Sequence, residues 1–443
     1  MILNRRQCIS GAAALGASIC TGANAEDSNE SAGVSDTKNN STAAGSSGPV
    51  IHVKRRTVVR VLGTHVTLQE EIRRRAEKEL GIRLEFSPGG SAEVLHRAST
   101  HPESFDLYEQ WSNSIRVLWQ ANAIQSIDVN RIRYWDEINA LTKTGRLTPT
   151  AKMGAGDAPN TILYVQPNGK LGTQQSENVS FLPYVHNVDS FGYDPTVVPK
   201  GVPYETESWA WLLDEKWAGK VAIVNEPTIG LFDLALALQA KGLMKFGDIG
   251  KLTRRELDDM FSILVKYRRD GHFRGVWSSV PASVQLMKRG ESVIESMFSP
   301  AVYELNANGI PCIYASPKEG YRAWHGVMCL SSATTGVVKD AAYEYMNWWL
   351  SGWPGAFIAR QGYYISNPER SREELTDAEW EYWYLGKPAA TDLLGTSGKR
   401  VVAKGRVRDG GSYTKRFSNI AVWNTVMNTY EYSLRRWNEF LSA

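Results

Sequence analysis

The sequence has little of what usually marks a function class. Across 443 residues there are four cysteines, Cys8, Cys20, Cys312 and Cys329. That is too few for a disulfide scaffold, and the paired CxxC spacing of a structural zinc site is missing. Charge of one sign is also missing: 50 Lys and Arg stand against 47 Asp and Glu, a net charge of +3 spread along the chain. This excludes the one-sided basic footprint of a general nucleic-acid binder. No apolar run reaches the ~18 residues of a membrane-spanning helix. The seven histidines are scattered with no pair at helical ligand spacing. HExxH, Walker A, GxGxxG and GxSxG patterns are all absent from the region expected to fold. His101-Pro102-Glu103 has the HxE of a zinc deaminase, but Cys312 has no cysteine three residues on to complete the site. Lys143-Thr144-Gly145 matches one element of a penicillin-binding triad. Its SxxK candidates fail, since Ser35–Lys38 lies in a polar tract and Ser412–Lys415 comes in the wrong order. No catalytic constellation, metal site or cofactor motif remains.

What is present fits a globular chain with room for two or three domains: 42% hydrophobic, 22% charged, and rich in Trp (15) and Tyr (19). The aromatic surplus hints at ligand work. At the start, Arg5-Arg6, a mild Ala/Gly-rich apolar stretch and Ala23-Asn24-Ala25 have the layout of a secretory signal over residues 1–25. The adjacent arginines make it twin-arginine-like, although Gln7 and Cys8 depart from that pattern. A lipoprotein reading through Cys20 is opposed by bulky Ile19. Residues 26–53 are dominated by small polar residues and read as a tether, because such a composition cannot bury enough apolar surface to offset its ordering entropy. After removal of the signal only Cys312 and Cys329 remain. An oxidising compartment would let them pair; two free buried thiols fit equally well.

The fold is expected to begin near Lys54. Thr57–Leu62 reads as a strand, and Leu68, Ile72, Ala76 and Leu80 mark one face of a helix that Gly81 ends. Ile82–Phe86 alternates like a second strand, giving a βαβ unit and hence a parallel sheet. Lys220–Val224 and Ser292–Met297 are strand-like; Phe232–Ala240, Leu252–Tyr267, Ser283–Arg289 and Asp340–Leu350 are helical by period. The class is α/β with two lobes. Open α/β sheets place ligands beyond the carboxyl ends of their strands. That rule nominates His65, the Gln110-Trp111-Ser112-Asn113 turn and the Asn225-Glu226-Pro227 turn as loops facing a cleft.

Ser208–Pro227 (SWAWLLDEKWAGKVAIVNEP) resembles the interlobe segment of periplasmic solute-binding proteins of ABC importers, in the spermidine/putrescine-receptor-like group. Leu182–Asp194 is similar to the strand that crosses between lobes in that group. Ser316-Pro317-Lys318-Glu319-Gly320 with Trp324 resembles the segment before the return crossing, and Asp340–Asn367 the helix pair that closes the pocket. The resemblance spans about residues 57–368. It implies a two-lobed fold of type II topology with the ligand cleft between the lobes. Lobe 1 would be residues 54–188 and 325–370, and lobe 2 residues 189–324 and 371–443, the last part a helical extension. It also implies a periplasmic monomer that captures a small molecule by hinge closure, delivers it to an ABC permease in the inner membrane, binds no nucleic acid and does no chemistry.

Polyamine receptors of this group hold an alkyl-ammonium between aromatic faces and anchor its ends on carboxylates, since a buried cation needs an anion. The resemblance places Trp324 and Tyr363 as pocket aromatics, Trp111 and Asn113 on the first-lobe turn, and Glu226 on the second-lobe turn. One departure counts: the group's Trp-x-Asp reads Trp324-His325-Gly326 here, so the aspartate that grips an amine is gone. One carboxylate with aromatic walls suits a monocation better than a long diamine. His65, His325 and Arg322 would instead meet an anionic or zwitterionic ligand. The expected ligand is a polyamine-like small organic nitrogen compound. The alternatives are a quaternary amine, an amino-acid-like compound or an organic anion, and further off a secreted enzyme or a signalling receptor of the same fold. Trp209, Trp211 and Trp217 read as packing of the interlobe turn.

Overall fold

The structure is a computed structural model and describes residues 56–443. The expected signal and the whole of the expected tether lie outside the described residues.

The first elements follow the local code. Strand β1 (Val58–Gly63) leads to helix α1 (Glu70–Leu80), which Gly81 closes in the left-handed region at φ 68°. Strand β2 (Arg83–Pro88) then pairs parallel to β1, with Val58 opposite Arg83. Helix α2 (Ser91–Thr100) and strand β3 (Leu107–Trp111) extend this parallel set on the other side of β1. The strand thus runs through Gln110 and Trp111, where a turn was expected, and the turn falls on Ser112–Ser114.

A second parallel set contains β5 (Val221–Val224), β6 (Phe273–Trp277) and β7 (Ile294–Met297). It is interleaved with α4 (Pro227–Ala240), α5 (Arg254–Arg269) and α6 (Val280–Lys288); α3 is Ile115–Gln120, before the crossing strands. The two sets meet through two long antiparallel strands, β4 (Leu182–Tyr193) and β8 (Tyr321–Ser331), in the order β6-β5-β7-β4-β8-β3-β1-β2. Every residue of β4 and β8 is buried. The four- to six-residue strands of each set, in contrast, need helices on their faces, the usual arrangement for parallel sheets.

The cores follow the same division. One apolar cluster packs β1–β3 against α8 (Gly336–Trp349), and another packs β5 and α4 against α5. Cys312 and Cys329 are both buried and free, so the two thiols are unpaired.

The segment beyond residue 371 is not simply helical. It contains a two-stranded hairpin at Leu393–Leu394 and Arg400–Val402. A further strand, β9 (Ile420–Trp423), lies parallel to Tyr321–Ala323 on the edge of β8 that β3 leaves free. The β-rich tetrapeptide IAVW was too short to be read as a strand in isolation. The final helix α9 (Tyr430–Ser442) buries Trp437 and Phe440 in the second core. Residues of this extension also share a core with Leu141, Ala158 and Tyr364, and Tyr413 Oη accepts from the Asn139 amide (2.9 Å) and shares a hydrogen bond with His186 Nε2 (2.8 Å).

Candidate ligand-binding site

Register along the crossing strands decides which predicted residues share a face. Trp324 lies opposite Asn187, and Arg322 opposite Asp189, whereas His325 lies opposite His186. Directly opposed residues of an antiparallel pair point to the same side and neighbours along a strand to opposite sides. Trp324, Asn187, Arg322 and Asp189 therefore form one face, and His325 and His186 the other.

On the first face Trp324 meets Tyr363 edge to face, with ring centroids 5.7 Å apart. The Asn187 amide donates to Ser299 Oγ (3.2 Å) and to the Gly362 carbonyl (3.4 Å), while its Oδ1 has no partner. Burial pushes the Tyr363 phenol up from its ordinary value, reinforced by nearby Asp189. Asp189 is itself pushed up to about 6 by burial, against the pull of Arg322.

From the first parallel set, the end of β3 delivers Trp111, half-buried, and then Asn113, buried with Oδ1 lacking a partner. From the second set, Glu226 caps α4: its Oε1 accepts from the backbone N–H of Thr228 (3.2 Å) and from the Thr228 hydroxyl (2.9 Å). Burial raises the Glu226 carboxyl above its usual range, and among the described residues no cation pairs with it. Trp111 packs on an apolar cluster of Ala222, Val224, Ile229 and Trp277, which flanks Glu226 in sequence and also holds Phe298. The structure thus brings Trp111 against the apolar cluster whose Val224 and Ile229 flank Glu226 in sequence, and Trp324 against Tyr363.

Three other expectations meet a different geometry. His325 is wholly buried on the opposite face. One ring nitrogen contacts Thr142 Oγ1 (2.6 Å), the other the Gly326 carbonyl (2.8 Å), and its ring stacks on His186 at 5.1 Å. Burial holds its pKa down at about 4, leaving a neutral ring. It makes core contacts, and nothing on that face opens toward Trp324. His65 is exposed in the turn after β1. Arg322 has 0% exposure and is occupied by Asp233 (2.7 Å), Asp189 (3.4 Å) and Asn424 (3.2 Å), so its charge is matched internally. Among the packing tryptophans, Trp209 is buried and donates to the Gly320 carbonyl at 2.8 Å, and Trp211 packs on Phe191 and Tyr193.

Gly326 explains the missing aspartate in steric terms. A Cβ built there would lie 2.8 Å from the Val185 carbonyl oxygen and 3.3 Å from the Tyr184 ring. A side chain at this point of β8 has no room.

Sequence reasoning missed Asn187 and Asp233. Asn187 had a usable signal, an amide inside a strand otherwise built for burial. Asp233 had a stronger one, as the only charged residue in the apolar helix Pro227–Ala240. Among the described residues no group of three or more His, Cys, Asp or Glu side chains could hold a metal ion, and no helix is long and apolar enough to cross a membrane.

The sequence profile of a family described as bacterial extracellular solute-binding protein matches residues 72–382. Among solved structures, this chain is similar to the Tp0655 (TpPotD) lipoprotein of Treponema pallidum, at 11% identity and a TM-score of 0.59, covering 86% of this chain and 99% of that one. It is similar to the spermidine/putrescine ABC transporter substrate-binding protein PotD of Streptococcus pneumoniae, at 13% identity and a TM-score of 0.57, covering 87% and 99%. It is also similar to the binding protein AgtB of A. tumefaciens in complex with agropinic acid, at 12% identity and a TM-score of 0.53, covering 87% and 99%. A comparison with curated protein sequences finds no match.

Proposed function

Because this chain belongs to the bacterial extracellular solute-binding proteins, we propose that it captures a small organic cation between its two lobes and hands it to the permease of an ABC importer. The crossing strands β4 and β8 would act as the hinge, with the lobes divided where these strands pass between the two parallel sets. Export to the periplasm, by the twin-arginine route, belongs to the same reading and rests on residues 1–25. Working as a monomer without chemistry on the ligand also belongs to it.

The observation that supports the ligand class is the presence of a pair of rings, Trp324 on β8 with Tyr363, and of a half-buried carboxylate, without a cation among the described residues, at the start of α4. Trp324 and Tyr363 present a ring edge and a ring face to each other, Trp111 adds a third ring, and Glu226 lacks a cationic partner among the described residues. An ammonium between rings gains ~0.5–2 kcal/mol per ring, and a carboxylate offsets the cost of burying its charge. The solved relatives named for spermidine and putrescine support a nitrogen ligand; AgtB with agropinic acid represents a different ligand chemistry on this fold. Within the polyamine-like class, the crowded backbone at Gly326 favours a short monocation or quaternary amine over a long diamine, because the second anchoring carboxylate has no place there.

A thermal-shift panel on the purified protein tests this, comparing putrescine, spermidine, quaternary amines, amino acids, organic anions and Fe(III). Saturation at 100 times the dissociation constant adds ~2.7 kcal/mol, which moves the midpoint by degrees. A shift with short cations that Glu226→Gln removes is the expected result. A shift with spermidine that survives Glu226→Gln would overturn the assignment of the anchor, and conversion of any bound compound would overturn the receptor reading.

A further inference from the structure

Arg408 and Arg416 are each only 2% exposed. Among the described residues neither forms an ion pair. Arg408 Nη1 donates to Tyr303 Oη at 2.9 Å, and its guanidinium lies over Trp383 at 4.7 Å and Tyr364 at 5.3 Å. Arg416 donates from Nη1 to Tyr364 Oη (3.2 Å) and from Nη2 to the Val188 carbonyl (3.3 Å), and lies over Tyr321 at 5.6 Å. Nε of both arginines has no partner. Neutral hydroxyls, a carbonyl and aromatic rings orient a guanidinium but do not neutralise it, and buried charges in proteins are as a rule paired.

Arg416 lines a cavity of about 150 Å³ between helix α7 (Ser299–Ala307) and residues 400–416 of the extension. Tyr303, Tyr314, Tyr382, Arg400, Arg406 and Asp409 also line it. Asp409 is the one acidic residue of the lining. Its Oδ2 already accepts from Arg406 (3.1 Å) and from the Tyr314 backbone N–H (3.1 Å). Arg400 is paired with Asp392 at 3.3 Å. The wall thus holds an excess of guanidinium, with phenols beside it. A water molecule needs about 10–15 Å³ of such space, so the cavity has room for a small anion together with water.

We propose that this cavity is a binding site for a small oxyanion, a carboxylate, phosphate or sulfate, whose charge completes that of Arg416 and, through Tyr303, of Arg408. The cavity adjoins the Trp324 face through Ser299, which lines it and accepts from Asn187, but Trp324, Tyr363 and Glu226 are not part of its wall; the proposal stands whether or not the cleft takes a cation. It belongs to the extension, which joins helix α7 to the crossing strands. The bound anion would hold these parts together.

The test uses the purified protein dialysed into low-salt buffer. Phosphate, sulfate, acetate and malonate are compared with chloride at matched ionic strength by thermal shift and by titration calorimetry. The expected result is a midpoint raised by several degrees with at least one oxyanion and saturable binding near one equivalent. Removing Arg416 endangers the fold, so the main variant is Ala403→Glu, an exposed position on the cavity wall. It adds a negative charge there and is expected to weaken oxyanion binding at least tenfold. Glu226→Gln should leave it unchanged. Equal responses to chloride and to every oxyanion, an Ala403→Glu affinity within twofold of wild type, or loss of the response in Glu226→Gln would each overturn the proposal.

Discussion

Arg322 on the crossing strand β8 donates from Nε to Asp233 Oδ1 of helix α4 at 2.7 Å, and both side chains have zero exposure. Asp233 Oδ2 accepts from Ser296 on β7 (2.6 Å), and Arg322 Nη1 reaches Asp189 on β4. One guanidinium therefore ties both crossing strands to the helix and sheet of the second parallel set. Removing one partner leaves an uncompensated buried charge, a cost of about 3–5 kcal/mol. Asp233→Ala should lower the unfolding free energy by that amount in urea titrations; a loss below ~1 kcal/mol would show that the pair contributes little.

Glu109 gives the stability a pH dependence. It is fully buried among the hydroxyls of Thr67, Tyr184 and Tyr345, with no cation, and burial pushes it up to about 7 from 4.5. Between those values the unfolded chain has released the proton and the folded chain still holds it. Stability contributed by this group is complete below pH ~4.5 and declines as pH rises toward 7. The full decline is on the order of 3 kcal/mol. Glu109→Gln should flatten this part of the stability–pH curve, so that the variant gains on wild type between pH 5 and pH 8. Parallel curves would refute the assignment.

Gly326 carries a steric prediction. With a Cβ 2.8 Å from the Val185 carbonyl oxygen, Gly326→Ala should destabilise by about 1–3 kcal/mol, and Gly326→Asp by more without creating spermidine binding. Gly90→Ala, where nothing lies within 4 Å of the new methyl, is the control and should stay within ~0.5 kcal/mol. Equal midpoints for the 326 and 90 variants in chemical denaturation would remove the steric argument.

The proposed cleft predicts two ligand effects. Tyr363→Leu keeps the bulk but removes the ring, and should weaken a bound cation by about 2- to 30-fold, the equivalent of ~0.5–2 kcal/mol. Affinity should also rise with pH through the titration of Glu226, because burial raises its pKa and only the ionised form attracts a cation. Calorimetric titrations between pH 5 and pH 8 would check both. Affinity that falls over this range would point to an anionic ligand.

The local parts of the fold were legible in the sequence, and the parts set by distant pairing were not. β1, α1 and β2 were readable because alternation, the four-residue apolar spacing and Gly81 act within a few residues. Helix α4 was read to start five residues late, since Pro227 in its first turn looks like a turn residue until Glu226 is seen to cap it. Trp324 and Tyr363 were named together through a family resemblance, and their 5.7 Å contact joins a strand residue and a loop residue 39 positions apart. His325 was grouped with Trp324 by adjacency, although strand alternation sends neighbours to opposite faces. The Arg322–Asp233 pair spans 89 residues, beyond any local signal.

Strand β9 has a consequence for how the molecule is made. Its pairing with Tyr321–Ala323 joins segments about a hundred residues apart, and helix α9 fills the second core only after it. A chain on the ribosome would carry β8 with an open edge, and a second core lacking Trp437 and Phe440, until residue 440 had been synthesised. Completion of the protein's second half is thus timed by translation itself, and a transcript cut short before codon 420 would yield a product with that edge permanently bare.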